Sequence, residues 1–258
     1  MNRAGLITAL AIAAVVGVVF GLYPQLDLMI SAPFNAMVHN GYNFSPRSYP
    51  PLLIARNIGL WVGTAVIVPV VAALVLKLLL PRWRLLLSGR AIMFLMVTVA
   101  LGPGLLANVV LKDHWDRPRP MEVTQFGGPL HFVAWWDPRG ECDKNCSFVS
   151  GDVSGAFWTI APAALVPPPW RALAYGAALA LGLGMAAVRI MAGGHFFTDT
   201  VFAGVFTFLI IWVVHGLIYR WPRTRLTDEA VERAIERFAR PGHDFIVGLF
   251  GTKRKSEP

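Results

Sequence analysis

Six apolar runs divide this 258-residue chain, at residues 4–23, 52–80, 91–111, 151–166, 172–188 and 200–219. Runs of about 20 residues with almost no charge match the thickness of a bilayer at about 1.5 Å per helical residue. Inside hydrocarbon, a backbone must satisfy its own polar groups, so such runs form helices. Composition agrees: 55% of residues are hydrophobic and only 15% charged, beyond what a soluble domain carries. The expected fold class is all-α, a polytopic membrane protein with six transmembrane helices in a bundle. The run behind Met1-Asn-Arg3 is longer than a signal-peptide core and lacks a small-residue cleavage site, so it reads as an uncleaved first span.

Charge sets the expected orientation. With the N-terminus inside, six spans leave fifteen basic and six acidic residues on the cytoplasmic side. The outer side holds eight basic and nine acidic residues. An inner excess of Lys and Arg is the arrangement membrane insertion favours. It also explains the net charge of +8 without nucleic acid, for which no basic tract with interleaved aromatics is present. Three segments then face outward: a Pro-rich first loop, a polar loop at 112–149, and the turn at 189–199.

The outward segments carry the chemistry. In the last of them, Arg189, His195 and Asp199 stand at the junction of two apolar runs. His195 and Asp199 are four apart, so one helical face would hold both. A carboxylate beside an imidazole fixes its tautomer and frees the other nitrogen. Gly193 and Gly194 let backbone approach a substrate closely. The competing reading is that Arg189 and Asp199 only cap helix ends. Lys112-Asp-His-Trp-Asp-Arg-Pro-Arg-Pro120 places three cations, Lys112, Arg117 and Arg119, where they could grip an anion. Ser150-Gly151-Asp152 opens the fourth run; a helix start binds anions, although Ser150 or Asp152 could equally be an ordinary N-cap. Arg56, early in the second run, either snorkels to the interface or faces this site.

Taken together these segments resemble the type 2 phosphatidic acid phosphatase superfamily. Lys112, six residues, Arg119-Pro120 is similar to its first signature. Ser150-Gly151 stands within its second, Pro-Ser-Gly-His. Arg189, five residues, His195, three residues, Asp199 is similar to its third. The resemblance covers roughly residues 91–219. It implies a membrane lipid phosphatase with His195 as nucleophile, a phosphohistidine intermediate, and Asp199 orienting the ring. Lys112, Arg119, Ser150, Gly151 and Arg189 would bind phosphate. No metal and no cofactor is expected. The long Trp-rich loop and Asn145-Cys-Ser-Phe-Val-Ser-Gly look like members that act on lipid A rather than on phosphatidate or undecaprenyl diphosphate. A phosphotransferase and a catalytically dead lipid-binding relative are the alternatives.

The chain departs from the family pattern at Val149, Val188 and Asp152. The last matters most, because the family has there the His that protonates the leaving oxygen. Asp152 is the expected acid, with His114 and His131 as substitutes. Cys142 and Cys146 face an oxidising periplasm in this topology, where a disulfide is expected over a free thiol pair. Trp115, Trp135 and Trp136 are expected at headgroup depth.

Residues 1–225 are expected to form the membrane phosphatase domain and 226–258 a cytoplasmic amphipathic helix with a basic tail. In that helix Thr227 is the N-cap, Val231, Ile235 and Phe238 share a stripe, Glu229–Arg233 and Glu236–Arg240 pair, and Pro241-Gly242 ends it. The partner is a membrane lipid phosphate; nothing in the sequence sets the oligomeric state. The expected location is the bacterial inner membrane, termini inside and site facing the periplasm. A reporter fused after Asp137 should therefore be active only in the periplasm, and one after Arg225 only in the cytoplasm; the reverse pattern would place the site inside.

Overall fold

The computed structural model describes residues 1–35, 49–81, 85 and 87–250. Among them the regular elements are all helical, residues 127–150 form a long loop, and one isolated bridge joins Val123 to Leu130. Residues 36–48 of the Pro-rich first loop, with Asn40-Gly41 and Pro46, lie outside the described residues, as do Arg82 and Arg84. Helix α1 (Arg3–Leu22) turns at Tyr23-Pro24 into the shorter α2 (Gln25–Asn35). Helix α3 (Pro50–Leu79) follows. Helix α4 (Gly89–Val99) continues as a wider π-helical stretch (Ala100–Leu111) and the single turn α5 (Lys112–His114). Then come α6 (Gly151–Trp158), α7 (Ile160–Leu165), α8 (Arg171–Met191), α9 (Phe197–His215) with its π-helical end (Gly216–Arg220), and α10 (Asp228–Phe250).

Five helices are long and apolar enough to cross a membrane: Arg3–Leu22, Pro50–Leu79, Gly89–His114, Pro168–Met191 and Phe197–Arg220. The fourth apolar run does not make a helix of that length. It breaks at Thr159, whose hydroxyl donates back to the Ala156 carbonyl at 2.6 Å, and the chain turns at Pro167-Pro168-Pro169. Residues 151–165 rise about 22 Å, less than the ~30 Å of a hydrocarbon core. This segment is instead an interior element. It packs on α8, α9 and the π-helical stretch, and Val153, Trp158 and Ala161 are at most 2% exposed.

The long helices turn apolar faces outward. Ile7, Val15, Val18 and Leu22 of α1 and Ile54, Ile58 and Trp61 of α3 are each more than half exposed, a surface suited to lipid chains. Inside, Phe94, Trp158 and Ile211 form the centre of the core, and the Trp158 indole N–H donates to Thr98 Oγ1 at 3.0 Å. Trp115 and Trp135 are not free interfacial aromatics. They pack with Phe148 and Phe202, Trp135 stacking on Phe202 at 4.3 Å, and only Trp136 of the three is exposed.

The two ends of the bundle differ. At one end the Asn2 carbonyl accepts from Trp212 and the Met1 carbonyl from Arg220. Helix α10 docks at this end, on α3 and α4. Buried Lys77 of α3 donates to Glu232 at 2.9 Å and Glu236 at 2.6 Å, while Asp228 accepts from Ser88 and Arg90. Phe20 stacks on Phe197 at the other end, where the polar groups of the outward segments converge.

Helix α10 corrects several expectations. Thr227 Oγ1 does accept from Ala230 N at 3.2 Å, but the helix runs through Pro241-Gly242 to Phe250. Glu236 serves Lys77, because an ammonium buried at a span end needs carboxylates more than an exposed Arg240 does. Val231 is buried while Phe238 is 80% exposed, so they do not share one packed stripe. Breaking this anchor should depend on which partner is removed. Lys77→Met leaves two part-exposed carboxylates that water can solvate. Glu232→Gln with Glu236→Gln leaves a buried ammonium without them, and should lower the melting temperature in detergent by more than Lys77→Met does.

Candidate active site

A cleft of about 290 Å³ opens at the converging end, lined by side chains from six separate segments. Arg56 comes from the start of α3, Lys112 from the end of the π-helical stretch, and Arg119 and Asn145 from the long loop. Asp152 comes from the first turn of α6, Arg189 from the last turn of α8, and His195 from the turn before α9. The site therefore sits where helix ends meet, the one place in a membrane bundle where charged side chains and water can coexist.

Close backbone approaches place the cations. Gly151 is pressed against Asn108: an added Cβ there would meet Asn108 Oδ1 at 2.2 Å. Asn108, a lone amide in an apolar run, accepts from Lys112 Nζ at 3.3 Å and donates to the Pro103 carbonyl at 2.6 Å. Arg119 is braced by the Asn145 carbonyl at 2.7 Å and the Gly194 carbonyl at 3.3 Å. Gly193 turns the chain with φ +62, and a Cβ at Gly194 would meet Arg189 NH2 at 2.5 Å. The glycine pair thus makes room for the turn and for the Arg189 guanidinium, rather than for backbone contact with a substrate.

His195 is 1% exposed, and its Nδ1 lies 2.7 Å from the Ser147 carbonyl. A carbonyl only accepts, so Nδ1 carries the proton and Nε2 keeps a lone pair. Asp199 is 3.9 Å from Nδ1 and makes no hydrogen bond to it. Its Oδ2 accepts instead from Ser147 Oγ at 2.5 Å and from Phe196 N–H at 2.8 Å. Ser147 therefore stands between Asp199 and the ring, and a helix boundary at Phe197 separates the two motif residues expected on one helical face. Burial, then the nearby Arg119, Arg189 and Lys112, hold His195 well below the ordinary histidine value of 6.5, against the opposing pull of the Ser147 bond.

Asp152 pairs with Arg56 (Nε to Oδ2 2.6 Å, NH2 to Oδ1 3.3 Å) and lies 3.3 Å from Arg189 Nε. It does not cap α6, nor does Ser150. Arg56 thus faces the cleft. His131 is held on the exposed loop by Glu141, and His114 is exposed; neither lines the cleft. Ser150 and Gly151 lie behind the cleft wall, the Ser150 hydroxyl buried with no protein partner.

Arg117, one of the three cations expected to grip an anion, does the opposite. It is 0% exposed, turned into the core, and bonded to Asp27 at 2.9 Å and Asp199 at 2.5 Å. Carboxylates on two other elements outcompete the cleft for it. Ser147, Asn145, Asn108 and Asp27 escaped the sequence reading as site residues. The only signals for them are single polar residues flanking or interrupting apolar runs. Cys142 and Cys146 form a disulfide with Cα atoms 5.8 Å apart, just ahead of Ser147.

A buried imidazole facing a cluster of guanidinium and ammonium groups, at one end of a membrane bundle, is an arrangement suited to a phosphoryl group. The chain belongs to the PAP2 superfamily, which it matches over residues 90–224, and it is a phosphatase. It is 36% identical over 227 residues to Lipid A 4'-phosphatase of Francisella tularensis subsp. novicida (strain U112), covering 85% of this chain and 98% of that one. It is 41% identical over 104 residues to Lipid A 4'-phosphatase of Rhizobium leguminosarum, 40% of this chain and 45% of that one. It is also 41% identical over 99 residues to Lipid A 4'-phosphatase of Rhizobium etli, 38% of each chain. No solved structure matches it.

The protonation state of His195 can be checked directly. In protein labelled with ¹⁵N-histidine, the His195 ring should stay neutral as pH is lowered through 6.5, its resonance assigned by His195→Gln. The unfolded chain binds that proton first. His195 therefore withdraws stability as pH falls from 6.5 toward its lower folded value.

Proposed function

We propose that this phosphatase removes a phosphate monoester from a lipid of the lipid A class, through a phosphohistidine at His195. The observation that carries the reading is the Ser147 carbonyl on Nδ1, which leaves Nε2 as the free nitrogen of a ring that lines the cationic cleft. Nε2 attacks phosphorus and the bond to the lipid oxygen breaks. Lys112, Arg119 and Arg189 hold the phosphate oxygens and meet the charge that grows in the transition state. We further assign the Ser150 hydroxyl and the Gly151 N–H at the start of α6 as phosphate contacts, which requires the phosphate to reach past the present cleft lining beside Asp152. Water then attacks phosphorus, the P–N bond breaks, and inorganic phosphate leaves.

Asp152 is our proton donor to the leaving oxygen. In the empty cleft it is an ion-pair partner of Arg56 and Arg189. A phosphate competing for those guanidiniums leaves the carboxyl beside a dianion, which favours its taking a proton. That it lines the cleft while His114 and His131 do not supports this choice. Similarity to lipid A 4'-phosphatases over most of the chain supports the substrate class.

We further place the cleft on the periplasmic side of the inner membrane, with α6 and α7 as a short sixth element of the bundle. The disulfide beside the cleft and the basic residues at the opposite end support that orientation. The phosphotransferase alternative shares every step but the last, with a lipid hydroxyl replacing water.

The test is phosphate release from purified lipid A, phosphatidate and undecaprenyl diphosphate, with and without an acceptor lipid. Release from lipid A that ceases in His195→Ala, with an acid-labile phosphoenzyme in the parent, is the expected result. No release from any of the three, or release that survives His195→Ala, overturns it. Asp152→Asn should slow lipid turnover by about 10²–10⁴-fold, the usual worth of general acid catalysis. A nitrophenyl phosphate, whose leaving group needs no proton, should be much less affected.

A further inference from the structure

Asp27, Arg117 and Thr198 take no part in the steps above, yet they form the most completely buried polar cluster behind the cleft. Asp27 is 1% exposed; Arg117 and Thr198 are 0% exposed. Arg117 donates through Nε to the Val133 carbonyl at 3.1 Å, through NH1 to Thr198 Oγ1 at 2.9 Å and Asp199 Oδ1 at 2.5 Å, and through NH2 to Asp27 Oδ2 at 2.9 Å. Asp27 accepts the Thr198 N–H at 3.1 Å and hydroxyl at 2.6 Å. The Arg117 carbonyl also accepts from Ser147 N–H at 2.8 Å.

Stability is a poor reason for such a cluster. Taking Asp27, Arg117 and the adjoining Asp199 out of water is costly, and apolar side chains of the same volume often serve as well. Its geometry points elsewhere. Arg117 links the cluster to Asp199 through its guanidinium and to Ser147 through its carbonyl, the two residues packed against the His195 ring. We propose that Asp27 and Arg117 are positioning residues for the nucleophile: Asp27 fixes the Arg117 fork, Arg117 fixes Asp199 and the Ser147 backbone, and the Ser147 carbonyl then holds the Nδ1 proton so that Nε2 faces phosphorus.

The charge count adds a second consequence. Two carboxylates surround one guanidinium, leaving one negative charge in excess. When Nε2 takes the phosphoryl group and Nδ1 keeps its proton, the ring becomes cationic. The Asp199 carboxylate 3.9 Å behind it is the counter-charge. Helix α2, which precedes the matched region 90–224, thereby becomes part of the catalytic apparatus.

The kinetic part rests on the phosphatase reading, so the experiment has one arm that needs activity and one that does not. Asp27→Asn, Arg117→Lys and Thr198→Val are purified as monodisperse protein. Thr198→Val keeps the side-chain shape and both charges, and serves if the ionic variants do not fold. The ¹⁵N spectrum of His195 is recorded for each. The parent should show a single Nδ1–H tautomer; the variants should show a mixture of tautomers or exchange of that proton. Kinetics on lipid substrate should show kcat down by about 10²-fold, the cost of a misplaced nucleophile. Inhibition by inorganic phosphate should stay within about twofold of the parent, since the cleft cations are untouched. An unchanged Nδ1–H tautomer in folded variants overturns the proposal, whatever the activity of the parent. So does an unchanged kcat with a lowered melting temperature, or an equal loss of kcat and phosphate binding. A parent without activity on any lipid would count against the phosphatase reading alone, and the tautomer spectra would still decide this one.

Discussion

Like charges repel, and four basic side chains meet in one cleft. Arg56, Lys112, Arg119 and Arg189 come from four separate segments, and holding them together at a membrane surface is the demand that most of the surrounding structure answers. Asp152 offsets part of the charge from within. Carbonyl and amide oxygens of Asn145, Gly194 and Asn108 brace Arg119 and Lys112 from the side. Gly194 leaves the space into which the Arg189 guanidinium fits. An arrangement of this kind is prepared before a phosphate arrives, so little reorganisation is needed as charge develops.

Charge is handled differently on the two sides of His195. The cleft side is rich in cations and opens toward substrate. The rear side is sealed, and there two carboxylates enclose the single guanidinium of Arg117. The imidazole lies between a positive front and a negative back. Such a gradient suits the phosphohistidine we propose, a ring neutral before transfer and cationic after it. The Ser147 carbonyl does what a direct carboxylate would do for the tautomer, and Asp199 is left to hold Ser147 and Phe196.

The opposite end of the bundle follows the same rule with different parts. Lys77 is buried at the end of α3 and is satisfied by two glutamates of α10. Its consequence is that α10 is docked onto α3 and α4 rather than lying apart as a separate tail. Residues 151–165 show why apolarity alone does not make a span. They read as an apolar run, but they carry Asp152, Ser154 and Thr159 and end at a proline turn after about four helical turns. They fill the interior beside α8 and α9.

Long apolar runs, and motif residues a few positions apart, were legible because their physics is local. A backbone in hydrocarbon must be helical, and the signature spacings from Lys112 to Arg119 and from Arg189 to Asp199 stay within short stretches of chain. From the sequence alone came the helical membrane class and the gathering of Lys112, Arg119, Arg189 and His195 at one site. Tertiary structure alone decided which cation faces the cleft and which is buried. Arg56 and Asp152 are 96 residues apart, Arg117 and Asp27 90, and Arg117 and Asp199 82. A guanidinium goes where carboxylates from other helices are closest and water is scarcest. No pattern along one strand of sequence encodes that distance, so Arg117 read as one of three cations that could grip an anion until the fold brought Asp27 and Asp199 to it.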